Sequence, residues 1–375
     1  MKICFLTLRD PEDKTSWSGI FHHMYINLEK YHQVEWIGKV KFKLWQQKIL
    51  KSTRISHKLM KNDFWIPSIL FCKFYAENVK KKIEVGKYDI IYAPVSSTLI
   101  AFLDTNIPIV YLSDATFHLM VDYYPEFTGL SKTNIKDGNK IDRMAFQRTE
   151  KIIFSSNWAK NDATQYYKVP AEKISVFEFG ANLLYEPNLN DLDFSESEIC
   201  NILFLGVDWI RKGGETAYKT YLELKKKGFR CTFTIIGCNP NINTEDSNIT
   251  IIPFINKNDR NEFDKLYKIF LQTQILLLPS KAECFGIVFS EASAFGIPSI
   301  TTNTGGISNV IENGINGYLL DVHADENAFA DKIYSLFSNK ETFKQLRMSS
   351  RKAYETKLSW KVWGENFNQC INNLI

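Results

Sequence analysis

The chain contains at residues 279–292 the sequence PSKAECFGIVFSEA. An apolar run at 274–278 comes before it and predicts a buried strand, and residues 286–294 predict a helix. Glu283 is therefore expected on the strand-to-helix loop, and Glu291 inside the helix. Loops at the carboxyl ends of parallel strands are where open α/β sheets bind ligands.

The chemistry of this loop favours a ligand with both phosphate and hydroxyl groups, such as a nucleotide sugar. The helix amino terminus near Gly286 offers unpaired N–H groups to an anion. A carboxylate at the same place, from Glu283, does not suit a bare phosphate but does suit hydroxyl groups. The alternative is that Glu283 and Glu291 are solvated surface charges, as most carboxylates are.

The residues around the two glutamates resemble the carboxyl-terminal signature of glycosyltransferase family 4. Glu283 and Glu291 have the E-x7-E spacing, and small residues and prolines of the signature follow in register: Ala292, Ala294, Gly296, Pro298, Gly305, Gly306, Asn313, Gly314 and Gly317. The resemblance implies the GT-B fold and retention of anomeric configuration. It implies that Glu283 contacts hydroxyls of the donor sugar and Glu291 those of the ribose. Further donor contacts are expected from Cys284, Phe285, Gly286 and Ile287.

Length and composition favour a two-domain cytoplasmic protein. A chain of 375 residues is too long for one typical core, and 45% hydrophobic with 23% charged residues is ordinary for a globular protein. The seven cysteines are scattered without a C-x2-C pair, which argues against a zinc site and a disulfide framework and favours a reducing compartment. We expect neither a signal peptide nor a spanning helix. The net charge of +4 is too small to imply nucleic acid.

Alternating strand and helix patterns predict a parallel, doubly wound sheet in each half of the chain. We predict an amino-terminal, acceptor-binding Rossmann-like domain over residues 1–184 and a polar linker over 185–199. A nucleotide-sugar-binding Rossmann-like domain over 200–355 and a final helix over 356–375 follow. The resemblance to GT-B proteins implies that the two domains face across a cleft and that the last helix returns to the amino-terminal domain.

Arg211 and Lys212 follow a predicted strand and precede two glycines, which would place two cations at a phosphate site. Most isolated Arg-Lys pairs lie on the surface instead. The segment resembles the family's diphosphate loop, in which Lys212 matches the lysine. Val207 stands where the family has an arginine, so Arg211 is the candidate substitute.

Four further residues are candidates in the first half. Gly19 resembles the glycine of the family's first loop, where a backbone without a side chain can approach a diphosphate. Asp114 follows a predicted strand at the place where relatives often carry a histidine. An acidic residue there could bind the acceptor hydroxyl or lie under the donor sugar, and His118 could take the place of the missing histidine. Asn182 resembles the family's hinge segment; a simple turn asparagine is the alternative, as a structural histidine is for His118.

Residues 39–62 contain no acidic residue but eight basic ones with apolar residues between them: Lys39, Lys41, Lys43, Lys48, Lys51, Arg54, Lys58 and Lys61. A basic amphipathic segment with a tryptophan, here Trp45, can lie on an anionic membrane surface. A packed helix with a lysine-rich outer face is an equal alternative. Nucleic acid is a third and less favoured option, because no recognition motif accompanies the charge.

The sequence thus predicts a retaining GT-B glycosyltransferase that moves a sugar from a nucleotide sugar, UDP- or GDP-linked, to a hydroxyl of a glycan or lipid-linked glycan. A pathway of surface polysaccharide or lipopolysaccharide is the expected context, on the inner face of the membrane. The resemblance also implies no metal and no other cofactor, since enzymes of the GT-B class generally neutralise the leaving diphosphate with helix termini and basic side chains. A nucleotide-sugar epimerase and a non-catalytic nucleotide-sugar-binding subunit are the alternatives.

Overall fold

The structure, a computed structural model, describes residues 1–59, 68–242 and 245–374, and only the backbone of 53–59. The chain divides into two compact units. Unit 1 consists of Met1–Phe177 and Gly364–Ile375, and unit 2 consists of Glu178–Trp363. In the described residues each unit contains one six-stranded sheet, and all its strand pairs are parallel. The predicted α/β class with two Rossmann-like sheets is confirmed.

The sheet of unit 1 has the strand order β2-β1-β3-β4-β5-β6. Its strands are β1 (Lys2–Leu6), β2 (Gln33–Ile37), β3 (Ile90–Pro94), β4 (Ile109–Ser113), β5 (Lys151–Phe154) and β6 (Ile174–Val176). The helices before unit 2 are α1 (Ile20–Glu29), α2 (Leu44–Leu59), α3 (Ile69–Gly86), α4 (Ser97–Ile100), α5 (Phe117–Met120), α6 (Lys132–Arg148) and α7 (Asn157–Gln165).

The sheet of unit 2 has the order β12-β11-β10-β7-β8-β9. Its strands are β7 (Cys200–Leu205), β8 (Cys231–Ile236), β9 (Ile249–Ile252), β10 (Ile275–Leu278), β11 (Ser299–Thr302) and β12 (Gly317–Leu320). The remaining helices are α8 (Gly214–Lys226), α9 (Arg260–Gln272), α10 (Ile287–Ala294), α11 (Ile307–Val310), α12 (Glu326–Ser338), α13 (Lys340–Thr356) and α14 (Trp360–Asn372).

The inner strands are buried on both faces, as parallel strands between helices require. Every residue of β10 is buried, as is every residue of β3 and β4. The edge strands β2 and β9 are only partly buried, and they lack the continuous apolar runs of the inner strands. These edge strands, with β12, are additions to the strands that the sequence patterns indicate.

The strand order of each sheet reverses direction once, and that point positions the candidate sites. In unit 1 the reversal lies between β1 and β3, and in unit 2 between β7 and β10. Ligands of open α/β sheets bind outside the carboxyl ends of the strands at such a reversal.

Two chain segments lie at the predicted domain boundaries. The stretch predicted as a linker, 185–199, packs on unit 2: the Tyr185 ring lies 4.9 Å from that of Phe263, and the Pro187 carbonyl accepts a hydrogen bond from Arg351. The last helix is divided between the units at Gly364. None of the helices in the described residues combines the length and apolar composition needed to cross a bilayer.

In unit 1, the carboxyl-terminal part of α14 completes the packing around β1 and β3. The Phe367 ring is fully buried and lies 4.8 Å from the Tyr92 ring. Asn368 is hydrogen-bonded to His32 over 2.6 Å. Residues from both ends of the chain therefore form one core.

Candidate functional site

Two loops meet at the carboxyl ends of β7 and β10 in unit 2. The loop after β7 ends at Gly213, whose φ of 73° is left-handed, and α8 begins directly after it. A Cβ atom on Gly213 would lie 1.8 Å from the carbonyl oxygen of Pro279, where the β10 loop begins. The Lys281 amide also donates to the Arg211 carbonyl over 2.8 Å. The two loops are thus fixed against each other by backbone contacts that leave no room for a side chain.

Glu283 lies at the centre of a charged cluster formed by these loops. The Lys212 ammonium contacts Glu283 Oε2, and the Arg211 guanidinium lies 3.4 Å from the same oxygen. Arg211 also donates to the Ala282 carbonyl over 2.9 Å. Lys212 and Glu283 are both 8% exposed, so this charge lies in a largely dehydrated place, where electrostatic interactions are strong. The structure therefore brings together three of the predicted site residues.

Val207, at the family's arginine position, is 76% exposed, and its side chain supplies no charge. The guanidinium of Arg211 instead reaches the cluster from the first turn before α8. This placement fits the expectation that Arg211 substitutes for the missing arginine. The phosphate contacts of Arg211 and Lys212 stay predictions.

The glutamate of α10, Glu291, is fully buried and has a cation of its own. Lys257 donates to both carboxylate oxygens, over 2.8 and 2.6 Å. Burial raises the pKa of the Glu291 carboxyl, and the Lys257 charge opposes that rise. A ribose could reach this carboxylate only if the Lys257 ammonium shares it or moves aside.

The start of α10 has the backbone geometry of an anion site. Gly286 precedes the helix with a left-handed φ of 86°, and a Cβ there would lie 2.5 Å from the Phe289 ring. Cys284 and Phe285 are buried beside it, and the Phe285 ring lies 4.9 Å from that of Phe179. From Ile287 onward, the first helical N–H groups have no partners within their own helix. The candidate donor-contact residues 284–287 thus form a rigid turn that begins with Glu283.

Asn182, also in unit 2, has a structural partner. Its Oδ1 accepts a hydrogen bond from the Trp360 indole over 2.9 Å, and the residue is 6% exposed. Its proposed contact with a ligand stays a prediction.

The predicted residues of unit 1 lie on three different segments around its sheet. Gly19 caps α1 with a φ of 88°. Asp114 follows β4 and is partly buried. His118 is directed to α7, where Asp162 lies 2.7 Å from its Nδ1 and the Tyr166 ring stacks on the imidazole at 3.6 Å. Their proposed roles toward donor or acceptor stay predictions.

Two partners of the candidate residues were not predicted from the sequence. Lys257, which binds Glu291, lies in a polar loop, and Asp162, which binds His118, lies on α7. Each is more than thirty residues from its partner along the chain, and no motif surrounds it.

The described part of the basic segment, residues 39–59, forms α2 and the irregular segment before it. Gln46 is buried and faces α3, where it donates to Glu77. Leu44 is 78% exposed, and Trp45 is half-exposed although its ring contacts Phe74. The helix therefore packs through one face and leaves apolar and lysine side chains on another; residues 60–62 and the side chains of 53–59 lie outside the described residues.

Residues 200–353 match the family described as Glycosyl transferases group 1. Among curated proteins, the chain is 32% identical over 130 residues to N-acetyl-alpha-D-glucosaminyl L-malate synthase of Bacillus anthracis, and 27% identical over 233 residues to an uncharacterised glycosyltransferase of Methanocaldococcus jannaschii. The matches cover 34% and 61% of this chain, and 32% and 61% of those relatives. The chain thus spans about a third and three-fifths of these proteins' lengths.

Solved structures match the whole chain at lower identity. The sucrose-phosphate synthase of Thermosynechococcus elongatus superimposes with a TM-score of 0.70 at 15% identity, covering 100% of this chain and 99% of that one. Anabaena HepE in complex with UDP-glucose has a TM-score of 0.64 at 16% identity, covering 100% of both chains. These similarities establish the fold. The chain has the GT-B fold, and its residues 200–353 match the glycosyltransferase group 1 family.

Proposed function

We propose that this protein is a retaining glycosyltransferase of family 4 that moves a sugar from a nucleotide sugar to an acceptor hydroxyl. The observation that carries the proposal is the cluster of Arg211, Lys212 and Glu283 at the strand-order reversal of unit 2, beside the amino terminus of α10. The match of 200–353 to a glycosyltransferase family and the UDP-glucose bound by HepE support it.

The donor diphosphate is proposed to bind between the two cations and the start of α10. Lysine supplies a compact charge and arginine a planar fork for phosphate oxygens, and the helix N–H groups at 287 add a partial positive charge. Glu283 contacts the Lys212 ammonium. A bound diphosphate would take over part of the Lys212 ammonium, which frees Glu283 to accept hydrogen bonds from the sugar hydroxyls.

The chemical step is a front-face displacement. The bond between the anomeric carbon and the β-phosphate oxygen breaks, and the new glycosidic bond forms on the same face of the sugar. The acceptor hydroxyl proton passes to the leaving phosphate oxygen. Lys212, Arg211 and the α10 N–H groups stabilise the charge that develops on the diphosphate, which is the largest contribution in comparable sites. No divalent ion is required in this scheme.

Calorimetry with a panel of UDP-, GDP-, ADP- and CMP-sugars, in EDTA, tests the donor site. We expect one donor to bind, with affinity at least tenfold lower in Glu291→Gln, which removes the ribose-binding charge without changing size. Lys257→Met should lower affinity as well, because the Lys257 charge opposes the rise in the Glu291 pKa that burial causes and so keeps this carboxyl ionised. The exposed Lys281→Met is the matched control. Binding of no donor, or equal binding by Glu291→Gln, contradicts the donor site, and release of a free sugar isomer without acceptor identifies an epimerase.

The acceptor is proposed to be a glycan or lipid-linked glycan of a surface polysaccharide or lipopolysaccharide pathway, reached by a cytoplasmic enzyme at the membrane surface. The exposed Leu44 and Trp45 beside Lys41 and Lys48 support the membrane part of this proposal. Replacing Lys41 and Lys48 with Glu should abolish sedimentation with phosphatidylglycerol vesicles at low salt, whereas the same change at Lys81 and Lys82 of α3 should not. Unchanged sedimentation would leave α2 as a packed surface helix.

A further inference from the structure

Unit 1 has a cavity of about 600 Å³ where β1 and β3 end. Its walls include Arg9, Asp13, Trp17, Phe21, Val95 and Ser96. Because the strand order of this sheet reverses between β1 and β3, the cavity has the position in unit 1 that the charged cluster has in unit 2. All of its lining residues belong to unit 1.

The backbone around this cavity is strained. Trp17, Ser18 and Val95 have left-handed φ values of 50°, 56° and 48°. For a β-branched residue such as Val95 this conformation is a true outlier, because its side chain clashes with the backbone there. The Val95 amide donates to the Leu112 carbonyl over 2.7 Å, which helps to hold it there. Such strain persists where the surroundings over-determine it, and it concentrates at ligand sites.

One wall of the cavity is aromatic. The Trp17 and Phe21 rings lie 5.1 Å apart at an angle of 49°, and both line the cavity. Aromatic faces suit the C–H face of a sugar ring, because each combines a large apolar surface with a negative ring face. Hydroxyl groups of Thr7, Ser96 and Thr98 complete the lining.

The cavity lining contains two charged residues, Arg9 and Asp13, and Asp13 is already hydrogen-bonded within the protein. Asp13 accepts hydrogen bonds from the Thr15 amide and hydroxyl and from the Ser16 hydroxyl, over 2.6 to 2.9 Å. These bonds, the Thr15 hydroxyl first, lower the pKa of Asp13 to about 2. Asp13 is thus ionised and hydrogen-bonded within its own loop. The remaining lone pairs of its carboxylate can still accept a hydrogen bond from a sugar hydroxyl.

Arg9 is exposed at the cavity, and in the described residues its guanidinium forms no ion pair within 4.0 Å. The carboxylates of Asp10 and Glu12 and the ammonium of Lys14 are exposed on the same loop. Arg9 is the cation that lines the cavity, and its planar fork matches a phosphate or carboxylate.

We propose that this cavity binds the acceptor and that the acceptor is an acidic sugar, with its ring against Trp17 and its phosphate or carboxylate on Arg9. This inference rests on the proposed transferase function. It adds to that function the charge class of the acceptor and two residues that select it.

Calorimetric titrations with three probes test the inference: glucose 6-phosphate, glucuronate and the neutral methyl glucoside. We expect at least one of the two acids to bind at least tenfold more tightly than methyl glucoside, and which acid binds distinguishes phosphate from carboxylate. Arg9→Met should abolish the difference, whereas Lys14→Met, on the same loop but outside the cavity lining, should retain it. Trp17→Leu should weaken binding of all three probes. Each titration is repeated with Lys212→Met, so that binding at the phosphate site of unit 2 is recognised by its loss.

Equal binding of all three probes, no binding of either acid at millimolar concentration, or acid binding that Arg9→Met leaves unchanged would overturn the inference. Nucleotide-sugar binding is measured with the same protein samples. If a donor binds but the acids behave as the neutral glycoside does, the acceptor inference is wrong and the transferase proposal stands. If no donor binds, the transferase proposal has failed independently of the cavity.

Discussion

The two units place left-handed backbone on different kinds of residue at equivalent positions of their sheets. Around the charged cluster of unit 2 it falls on glycines, Gly213 and Gly286. Around the cavity of unit 1 it falls on Trp17, Ser18 and Val95 as well as on Gly19. Glycine adopts this conformation without strain, whereas other residues store strain there. The left-handed backbone of the first region is therefore unstrained, whereas that of the second region stores strain.

The pairing of charged side chains also differs between the two regions. In unit 2 the cations Arg211 and Lys212 are paired with Glu283, and the buried Glu291 is paired with Lys257. In unit 1 the described residues offer no ion pair to Arg9, the cation that lines the cavity. The comparison suggests a preorganised site in unit 2 and a less satisfied one in unit 1.

The largest effect is expected at Gly213. Alanine there should destabilise the protein by about 2–5 kcal/mol, from left-handed strain and from collision with Pro279. Gly228 has nearly the same φ of 71° with no atom within 4 Å of a built Cβ, so Gly228→Ala should cost only about 1–2 kcal/mol. Urea unfolding measures both. Equal losses would mean that the close approach of the two loops contributes nothing.

Lys212→Met should lower kcat by roughly 30- to 1000-fold, because removing a cation from a preorganised site costs about 2–4 kcal/mol of transition-state stabilisation. Lys281→Met is the control, because the Lys281 side chain is exposed and lies on the loop after β10. Initial rates with the donor found by calorimetry give the comparison. A Lys212→Met enzyme with normal kcat would remove Lys212 from the proposed mechanism.

Asp142 should make unit 1 less stable as pH rises. It is 4% exposed and accepts a hydrogen bond from the Phe117 amide, and burial raises its pKa from 3.8 to about 6. Between these values the folded protein holds a proton that the unfolded chain has lost, so stability falls as pH rises through that window, by roughly 2–3 kcal/mol.

The free energy of unfolding of Asp142→Asn, measured from pH 4 to 7, should lack this fall. Asp137→Asn on the same helix is the matched control and should keep it. An unchanged pH profile in Asp142→Asn would assign the dependence to other groups.

The smallest effect is expected at Val95. Val95→Asn should stabilise the protein by about 1 kcal/mol, because asparagine tolerates left-handed backbone. Val322, which is 41% exposed against 45% for Val95 and lacks a positive φ, is the control, and Val322→Asn should be neutral. Absence of a gain at Val95 would show that its surroundings, and not its side chain, carry the strain.

How far the sequence predicts the fold depends on where a strand lies in its sheet. The inner strand β10 is a continuous apolar run, and the sequence predicts it within one residue. The edge strand β2, with the sequence QVEWI, is only partly buried and gives no such signal. Burial on both faces produces the pattern, so strands without it escape detection.

The candidate site divides in the same way. Glu283, Lys212 and Gly286 could be predicted because each lies on a short loop beside a strong strand, and glycines mark the turns. Lys257 could not, since it binds Glu291 from a loop 34 residues away. The cavity of unit 1 also escaped, because left-handed backbone at Trp17 and Val95 has no glycine to reveal it.

The division of α14 between the units has a consequence for synthesis of the protein. Most of unit 1 precedes unit 2 in the chain, but Phe367 and Asn368, which pack against Tyr92 and His32, are translated after all of unit 2. Domains generally fold as they emerge, amino-terminal first. Here we expect the opposite order of completion, because the core of unit 1 stays incomplete until α14 has been synthesised. A chain truncated before Gly364 would therefore contain a complete unit 2 and an incomplete unit 1.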